Sequence, residues 1–517
     1  MRPIKETRLG QIDSYNDIVI FEGFPYFFYE VQKPKFSKEE LDLAEKLKRF
    51  IIGKKVEMEP SEKGQVPQGV VDYLNRKFLQ SLALSEANSK LLIPEKFFAF
   101  SSELANALKP VGFVKDALKF AAYVLDASIG FGYLAPLMRD ESLEEIMVNG
   151  EKRVVFVFHK KYGMCKTNLS LDERNYMPNL VQRIANTVGR RFDSNHPLLD
   201  ARLPDGSRAN ATESLVTPNG VTLTIRKFTK IPLSIVDLIA NNTLTSEVAA
   251  FLWVAIEGMN IQPMSLIVTG GSGTGKTTTL NVLASFIRFQ DRIVTIEDTL
   301  ELDLGGRENW IQMESKPALR ESHEVSMDDL LRNALRMRPD RIIVGEVRGP
   351  EAQTLFVAMD TGHEGCMGTL HANSAKEMFL RLKADPMGVP EQMLPLLDLV
   401  LVQYKMYIKG KGILRRVTQI SEVSAMENQA LVANVFEWNR EKDELERTNT
   451  PSHIIETLGE KVGRSKKDVM REINIRRTIL EWLLKQGIRR NPDVETVIQR
   501  YYYEPQTVLE EVSKALE

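Results

Sequence analysis

The sequence has few cysteines and no long apolar run. Its 517 residues include two cysteines, Cys165 and Cys366, which lie far apart along the chain. This spacing argues against a disulfide framework and a cysteine-based zinc site, so both are expected to be small buried apolar residues. No apolar run approaches the roughly 18 residues that span a bilayer, and Met1 to Arg8 lack the apolar core of a signal peptide. We therefore expect a cytoplasmic protein without a transmembrane segment.

The sequence also lacks an excess of charge of either sign. Lysine and arginine total 68 and aspartate and glutamate total 70, which leaves a net charge of −2. Such a balance gives no overall attraction to nucleic acid, so no nucleic-acid partner is expected. The net charge does not exclude a local basic groove. The length predicts about three domains.

What the sequence does contain is a glycine-rich loop between an apolar strand, Leu266 to Gly270, and a helix that begins near Lys276. In the spacing Gly-x4-Gly-Lys-Thr, backbone N–H groups face phosphates, the lysine reaches the terminal ones and the hydroxyl binds Mg²⁺. The positive end of the helix dipole adds to this. The alternative is a glycine-rich turn that matches this spacing by accident, but the strand before the loop and the helix after it favour a phosphate site. We predict that ATP and Mg²⁺ bind at this loop, with Thr277 as a ligand of the metal ion. The residues predicted to bind the nucleotide are Gly270, Gly271, Ser272, Gly273, Thr274, Gly275, Lys276, Thr277 and Thr278.

Strands and helices alternate after this loop, which predicts an α/β fold with a largely parallel sheet. One predicted strand, Arg292 to Leu302, ends in carboxylates, and two others end near Glu346 and His371. Because ligands bind at the carboxyl ends of parallel strands, we expect Glu301, Glu346 and His371 to lie together, rather than simply facing water. ATP hydrolysis would then use Glu301 on the attacking water, Glu346 on the Mg²⁺ shell and His371 as a sensor of the γ-phosphate.

Two pairs of arginines are further candidates. Arg332 and Arg336 lie four apart on a predicted helix, Met327 to Arg338, and share one face. They are either a solvated stripe or fingers that reach a neighbouring subunit's γ-phosphate in a ring. Arg202 and Arg208 flank a predicted turn, where they either face solvent or clamp phosphates.

The pattern of elements predicts four segments: an N-terminal helical and β domain (1–116), a second α+β domain (117–228), a linker (229–236) and an ATPase domain with C-terminal helices (237–517). Within the first segment, Ile18 to Val31 predicts a hairpin, and Ser37 with Glu40 predicts the capping box of a helix. Further helices are expected over 70–82 and 94–107.

Four motifs in order resemble those of the type II/type IV secretion ATPase superfamily. They are the Walker A loop, 270–277; the aspartate box, 296–301; the Walker B strand, which ends at 344–348; and the histidine box, 368–373. Segments 145–150 and 199–208 also resemble the second N-terminal domain of this family. The resemblance covers about residues 117–425.

The resemblance implies a RecA-like ATPase domain that assembles into a homo-hexamer. It gives Glu301 the role of catalytic glutamate, Glu346 that of Walker B acid and His371 that of the histidine box, and it implies nucleotide-clamping arginines at Arg202, Arg208, Arg332, Arg336 and Arg381. The implied partner is a polytopic membrane platform protein of a filament machine, which the ATPase would bind at the inner face of the cell membrane. Accessory cytoplasmic motor proteins are further candidate partners.

Two departures refine the resemblance. The cysteine tetrad of the bacterial secretion members is missing, and Thr299 stands where the aspartate box often has proline. The residues within the motifs are most similar to those of the archaeal branch and, within it, to those of archaellum motor ATPases. An archaeal adhesion-pilus or secretion ATPase is the close alternative. A nucleic-acid translocase on the same fold and a nucleotide-gated scaffold are the competing hypotheses.

Overall fold

The computed structural model describes residues 6–53, 70, 94–128, 130–171, 175–228, 233–316, 324–408, 412–426 and 429–515. The chain divides into two compact units, Met1–Thr229 and Lys230–Glu517. The helix expected over 70–82, apart from Val70, and the first four residues of the expected linker lie outside the described residues. None of the described helices is both long and apolar enough to cross a membrane.

The first unit combines a nine-stranded sheet with helices. In chain order its elements are β1 Thr7–Tyr15, β2 Ile18–Phe24, β3 Phe27–Val31, α1 Lys38–Gly53, α2 Pro94–Leu108, α3 Ala117–Ser128, α4 Ala135–Arg139, β4 Leu143–Val148, β5 Val154–His159, β6 Gly163–Ser170, α5 Tyr176–Thr187, β7 Leu198–Arg202, β8 Arg208–Thr212 and β9 Thr222–Arg226. The strand order is β1-β2-β3-β6-β5-β4-β9-β8-β7, and all neighbours are antiparallel except β3 and β6.

Local sequence explains several of these elements. The predicted hairpin is confirmed as β2 and β3, which pair antiparallel. The predicted capping box is also confirmed, since the Ser37 N–H donates to the Glu40 carboxylate and the Glu40 N–H to the Ser37 hydroxyl. Helix α5 buries its apolar face against the sheet, with Leu180 and Ile184 fully covered.

Residues on both sides of the domain boundary expected at residue 117 share one sheet and one apolar cluster. Strands β1 to β3 belong to the same sheet as β4 to β9, and α3 packs in one apolar cluster with α1 and α2. The finer division of the first unit into two domains therefore stays a prediction.

The second unit is built on another nine-stranded sheet. Its elements are α6 Ile235–Ala240, α7 Ser246–Glu257, β10 Leu266–Gly270, α8 Lys276–Ala284, β11 Ile293–Glu297, β12 Trp310–Glu314, α9 Met327–Ala334, β13 Arg341–Val347, α10 Glu351–Asp360, β14 Met367–Leu370, α11 Ala375–Lys383, β15 Leu399–Ile408, β16 Gly412–Met426, β17 Gln429–Asn439, β18 Glu444–Arg447, α12 His453–Val462, α13 Lys466–Lys485, α14 Asn491–Tyr503 and α15 Pro505–Lys514.

The order of the strands in this sheet explains where a ligand can bind. The order is β12-β11-β13-β14-β10-β15-β16-β17-β18; the pairs from β12 to β15 are parallel and those from β15 to β18 are antiparallel. Side chains of β10 alternate between two apolar cores, with Val268 in one and Ile267 in the other. The α/β fold with a mostly parallel, RecA-like sheet is confirmed, and β14 lies between β10 and β13.

Three details differ from the sequence-based expectation. Helix α9 ends at Ala334 rather than Arg338, because the Arg336 and Met337 N–H groups donate to the carbonyls three residues earlier, of Asn333 and Ala334, and Arg338 before Pro339 has φ +54°. Strand β11 ends at Glu297, before Glu301. The antiparallel strands β16 to β18 were not predicted from the sequence, although the C-terminal helices after residue 450 were.

Candidate nucleotide site

The glycine loop between β10 and α8 is shaped by positions that exclude a side chain. Gly273 and Gly275 have φ +69° and +95°, and a Cβ on Gly270 would lie 2.3 Å from the Gln403 carbonyl oxygen. The Thr274 hydroxyl donates to the Gly271 carbonyl at 3.0 Å and holds the loop across its middle. Helix α8 begins at Lys276 without a side-chain cap, so its first N–H groups face the loop. This arrangement suits a bound phosphate.

Lys276 lies at the mouth of this loop. Its Nζ donates to the Gly271 carbonyl at 3.0 Å and lies 3.3 Å from His371 Nε2. The side chain is buried, with 7% of the residue exposed. The loop lysine is therefore already directed at the histidine that follows β14.

Glu346, near the end of β13, completes this group. Its Oε1 lies 3.3 Å from His371 Nε2, and its Oε2 accepts a hydrogen bond from Arg348. Burial alone would raise the pKa of Glu346, but the hydrogen bond and charge of Arg348, together with the Lys276 ammonium, outweigh it and hold that pKa below its usual range. Glu346 is therefore a carboxylate at neutral pH.

His371 is neutral in this environment. Burial and the nearby Lys276 ammonium lower the pKa of its imidazole, and the attraction of Glu346 only partly offsets them. A neutral imidazole whose Nε2 accepts from Lys276 cannot donate from that nitrogen to Glu346. This agrees with the state of Glu346 Oε1, which is buried and makes no hydrogen bond within the described part of the chain.

Glu301 lies four residues after the end of β11, in a turn held by Glu297. The Glu297 Oε2 accepts the backbone N–H groups of Glu301 and Leu302, at 2.7 and 3.0 Å. Sequence reasoning missed Arg348, which is held electrostatically by Glu346, Asp298 and Glu301 together. Its position just after β13, two residues beyond Glu346, was the only signal that the sequence offered.

A magnesium ion fits this donor set. Among the described residues, no group of three or more His, Cys, Asp or Glu side chains could form a cage for a metal ion. Mg²⁺ does not need such a cage, since it keeps several waters and binds one or two protein groups together with substrate phosphates. The Thr277 side chain on the first turn of α8 and the buried Glu346 Oε1 are suitable for that role.

The predicted arginines are placed differently from one another. Arg332 is exposed on α9 and bound to Asp328 at 2.8 Å, whereas Arg336 lies in the turn that follows, so the helix predicted to carry both arginines ends two residues before Arg336. Arg202 and Arg208 face each other across β7 and β8 in the first unit. Arg381 is bound to Glu377 at 2.8 Å on α11.

A further contact that the sequence did not indicate ties α8 to β15. The Thr279 hydroxyl donates to Gln403 Oε1 at 2.9 Å, and both side chains are buried. Gln403 is also the partner of Gly270 in the parallel pairing of β10 and β15. Strand β10 lies between β14 and β15, so this contact holds the start of α8 on the β15 side of the loop.

Comparisons with known proteins place the chain in a family. Residues 128–511 match the family model described as "Type II/IV secretion system protein". Two uncharacterized proteins of Methanocaldococcus jannaschii are similar: MJ0900 is 33% identical over 97% of this chain and 90% of its own length, and MJ0781 is 32% identical over 74% and 76%. The crystal structure of the pilus retraction motor PilT with bound ADP is 20% identical, with a TM-score of 0.40 over 66% of this chain and 91% of that one.

Proposed function

Because the chain belongs to the type II/IV secretion system protein family, we propose that it is a Mg-dependent ATPase that converts hydrolysis into mechanical work. The observation that carries the proposal is the convergence of Lys276, His371 and Glu346 at the end of the phosphate loop, joined by two contacts of 3.3 Å. These residues come from α8, the end of β14 and β13, so the fold itself brings them together. A surface assembled in this way matches the needs of phosphoryl transfer.

In the proposed reaction, a water oxygen attacks the γ-phosphorus of ATP while the bond to the β–γ bridging oxygen breaks. Lys276 and the loop N–H groups hold the phosphates and stabilise the charge that develops on the leaving oxygen. Glu301 orients the water and accepts one of its protons, which leaves ADP and inorganic phosphate as products. Thr277 and Glu346 would hold Mg²⁺, which when bound would supply further positive charge to the phosphates.

His371 acts in this scheme as a neutral hydrogen-bonding group beside the γ-phosphate. Its Nε2 already lies 3.3 Å from both Lys276 and Glu346, so a phosphate that attracts Lys276 also changes the partner of the imidazole. The histidine can therefore report the presence of the terminal phosphate to α11, the helix that follows the histidine box.

We place this ATPase in a homo-hexamer at the cytoplasmic face of an archaeal membrane. There it powers the assembly of an archaellum or type IV pilus-like filament, with rotation of the filament as a second output. The polytopic platform protein of that filament is its partner, accessory cytoplasmic motor proteins can join it, and Arg332 and Arg336 complete a neighbour's site. An archaeal adhesion-pilus or type II-like secretion ATPase is the alternative, which the family description also supports. A nucleic-acid translocase is disfavoured by the net charge of −2.

The test is release of phosphate by the purified full chain with Mg-ATP, measured alone, with EDTA, and with DNA or RNA. We expect release that needs the divalent ion and is lost in Lys276→Ala, and that nucleic acid leaves unchanged. Strong stimulation by DNA or RNA would favour the translocase. Absence of release under every condition would leave only the nucleotide-gated scaffold.

A further inference from the structure

The hairpin of β15 and β16 lies directly beside the phosphate loop. Strand β15 pairs in parallel with β10 up to Gly270 and Gln403, and then continues to Ile408 while β10 turns into the loop. Strand β16 pairs with β15 along this whole extension. The bond between Thr279 and Gln403 fixes the root of the hairpin to α8.

Two cations of this hairpin approach the loop. The Arg415 Nε donates to the Gly273 carbonyl at 3.1 Å. A Cβ on Gly273 would lie 2.9 Å from Lys405 Nζ, and a Cβ on Gly275 would lie 3.4 Å from Arg415 Cδ. Gly273 and Gly275 therefore serve two needs, since they adopt left-handed φ values and also leave room for these two side chains.

The pairing of these cations also has an electrostatic consequence. Lys405 and Arg415 are direct partners across β15 and β16, and both contact the same side of the loop. Both side chains are partly buried. With Lys276 they place three cationic side chains around one loop, and such a surface favours the binding of a polyphosphate anion.

We propose that Lys405 and Arg415 bind the polyphosphate of a nucleoside di- or triphosphate, as an outer wall of the nucleotide site. The inference rests on the proposed function and adds to it a second source of positive charge, on β15 and β16, outside the four motifs named above. Its consequence is that hairpin position and nucleotide binding are coupled, because the same side chains hold the loop and the anion.

The test is titration of the full chain with a fluorescent N-methylanthraniloyl ADP. Lys405→Ala and Arg415→Ala are each expected to raise the dissociation constant about tenfold, in line with the loss of a charge-assisted hydrogen bond, and Arg415→Lys should recover part of the loss. Lys442→Ala is the matched control, because Lys442 is an exposed lysine of the same unit that lies in the turn before β18 and is bound to Glu446. Thermal unfolding of every variant shows that the fold is retained.

Competition with inorganic pyrophosphate and with adenosine separates phosphate binding from simple support of the loop. We expect Lys405→Ala and Arg415→Ala to weaken pyrophosphate and to leave adenosine unchanged. Wild-type affinity for ADP in both variants, or an equal loss for adenosine, would overturn the inference and leave the proposed function standing. If the wild-type chain binds no nucleotide, the proposed function fails together with it.

Discussion

Gly270 shows how much a single position contributes to the phosphate loop. It is the last residue of β10, and its Cα faces the carbonyl oxygen of Gln403 on the neighbouring strand. The family motif explains the glycine by the phosphates, whereas the structure adds a requirement from the sheet. Sequence spacing alone could not supply that second reason, because Gln403 lies more than a hundred residues further along the chain.

Gly270→Ala should therefore destabilise the protein even when no nucleotide is present. The added Cβ would meet the Gln403 carbonyl at 2.3 Å, so the backbone of β10 or β15 must shift. We expect a loss of about 1–3 kcal/mol in the free energy of unfolding, measured by urea denaturation of the isolated full chain.

Gly306→Ala is the matched control for this substitution. Gly306 is exposed and an added Cβ there has no atom within 4 Å. The control should change the free energy of unfolding by less than about 0.5 kcal/mol. Equal effects of the two substitutions would mean that the sheet does not constrain Gly270.

Helix α13 is joined to α7 through a buried ion pair. The Arg476 Nη2 donates to Glu257 Oε2 at 2.8 Å, and a second nitrogen of the same guanidinium donates to the Trp253 carbonyl. Both charged side chains are almost completely covered. The ion pair therefore fixes one C-terminal helix against the apolar core behind the parallel sheet.

Arg476→Met should be strongly destabilising, because it leaves the buried Glu257 carboxylate without its cation. We expect a loss of about 3–5 kcal/mol in the free energy of unfolding. The neighbouring Arg477→Met is the control, since Arg477 pairs with Glu481 on the exposed side of the same helix and should lose less than about 0.5 kcal/mol. A small effect of Arg476→Met would show that the C-terminal helices are held by apolar contacts alone.

The elements that were predicted from sequence are those with local patterns. The strand, glycine loop and helix around Lys276 and the capping box at Ser37 follow from neighbouring residues, and the structure contains them. Helix α9 was predicted four residues too long, because the prediction ended it at Pro339, whereas the chain changes to turns with hydrogen bonds three residues apart directly after Ala334. The strand ending at Glu297 was predicted too long because Glu297 turns the chain by accepting two N–H groups.

Contacts between distant segments could not be predicted. The cluster of Lys276, Glu346 and His371 was expected only in outline, from the rule that parallel strands end at one edge. The contacts of Gln403, Lys405 and Arg415 with the loop depend on the register of β15 against β10, and no local pattern encodes that register. The single sheet that joins β1 to β3 with β4 to β9 has the same origin.

For the assembled protein, the proposal requires that subunits share active sites. Arg332 and Arg336 are exposed, and Arg336 lies in the turn that follows α9. If these arginines reach a neighbour's γ-phosphate, an isolated subunit is a poor enzyme. Phosphate release per subunit should then rise with protein concentration as a closed ring forms.

Mixing two inactive variants tests this arrangement. Arg336→Ala subunits keep the phosphate loop and Lys276→Ala subunits keep the arginines, so mixed interfaces should regain a measurable part of the wild-type rate. Arg490→Ala serves as the control for loss of an exposed arginine and should remain active alone. Activity that depends neither on concentration nor on mixing would mean that the arginines act within one subunit or simply face solvent.

The most direct test of the central claim separates binding from turnover in the same preparation. We would measure the dissociation constant of a fluorescent ATP analogue and the rate of phosphate release for the wild type, Lys276→Ala, Glu301→Gln and the exposed control Glu510→Gln. Glu301→Gln should bind nucleotide nearly as the wild type does but release phosphate at least about 100-fold more slowly, because it loses the group that accepts the proton. Lys276→Ala should lose binding, and Glu510→Gln should change neither. Wild-type turnover in Glu301→Gln, or wild-type binding in Lys276→Ala, would contradict the account.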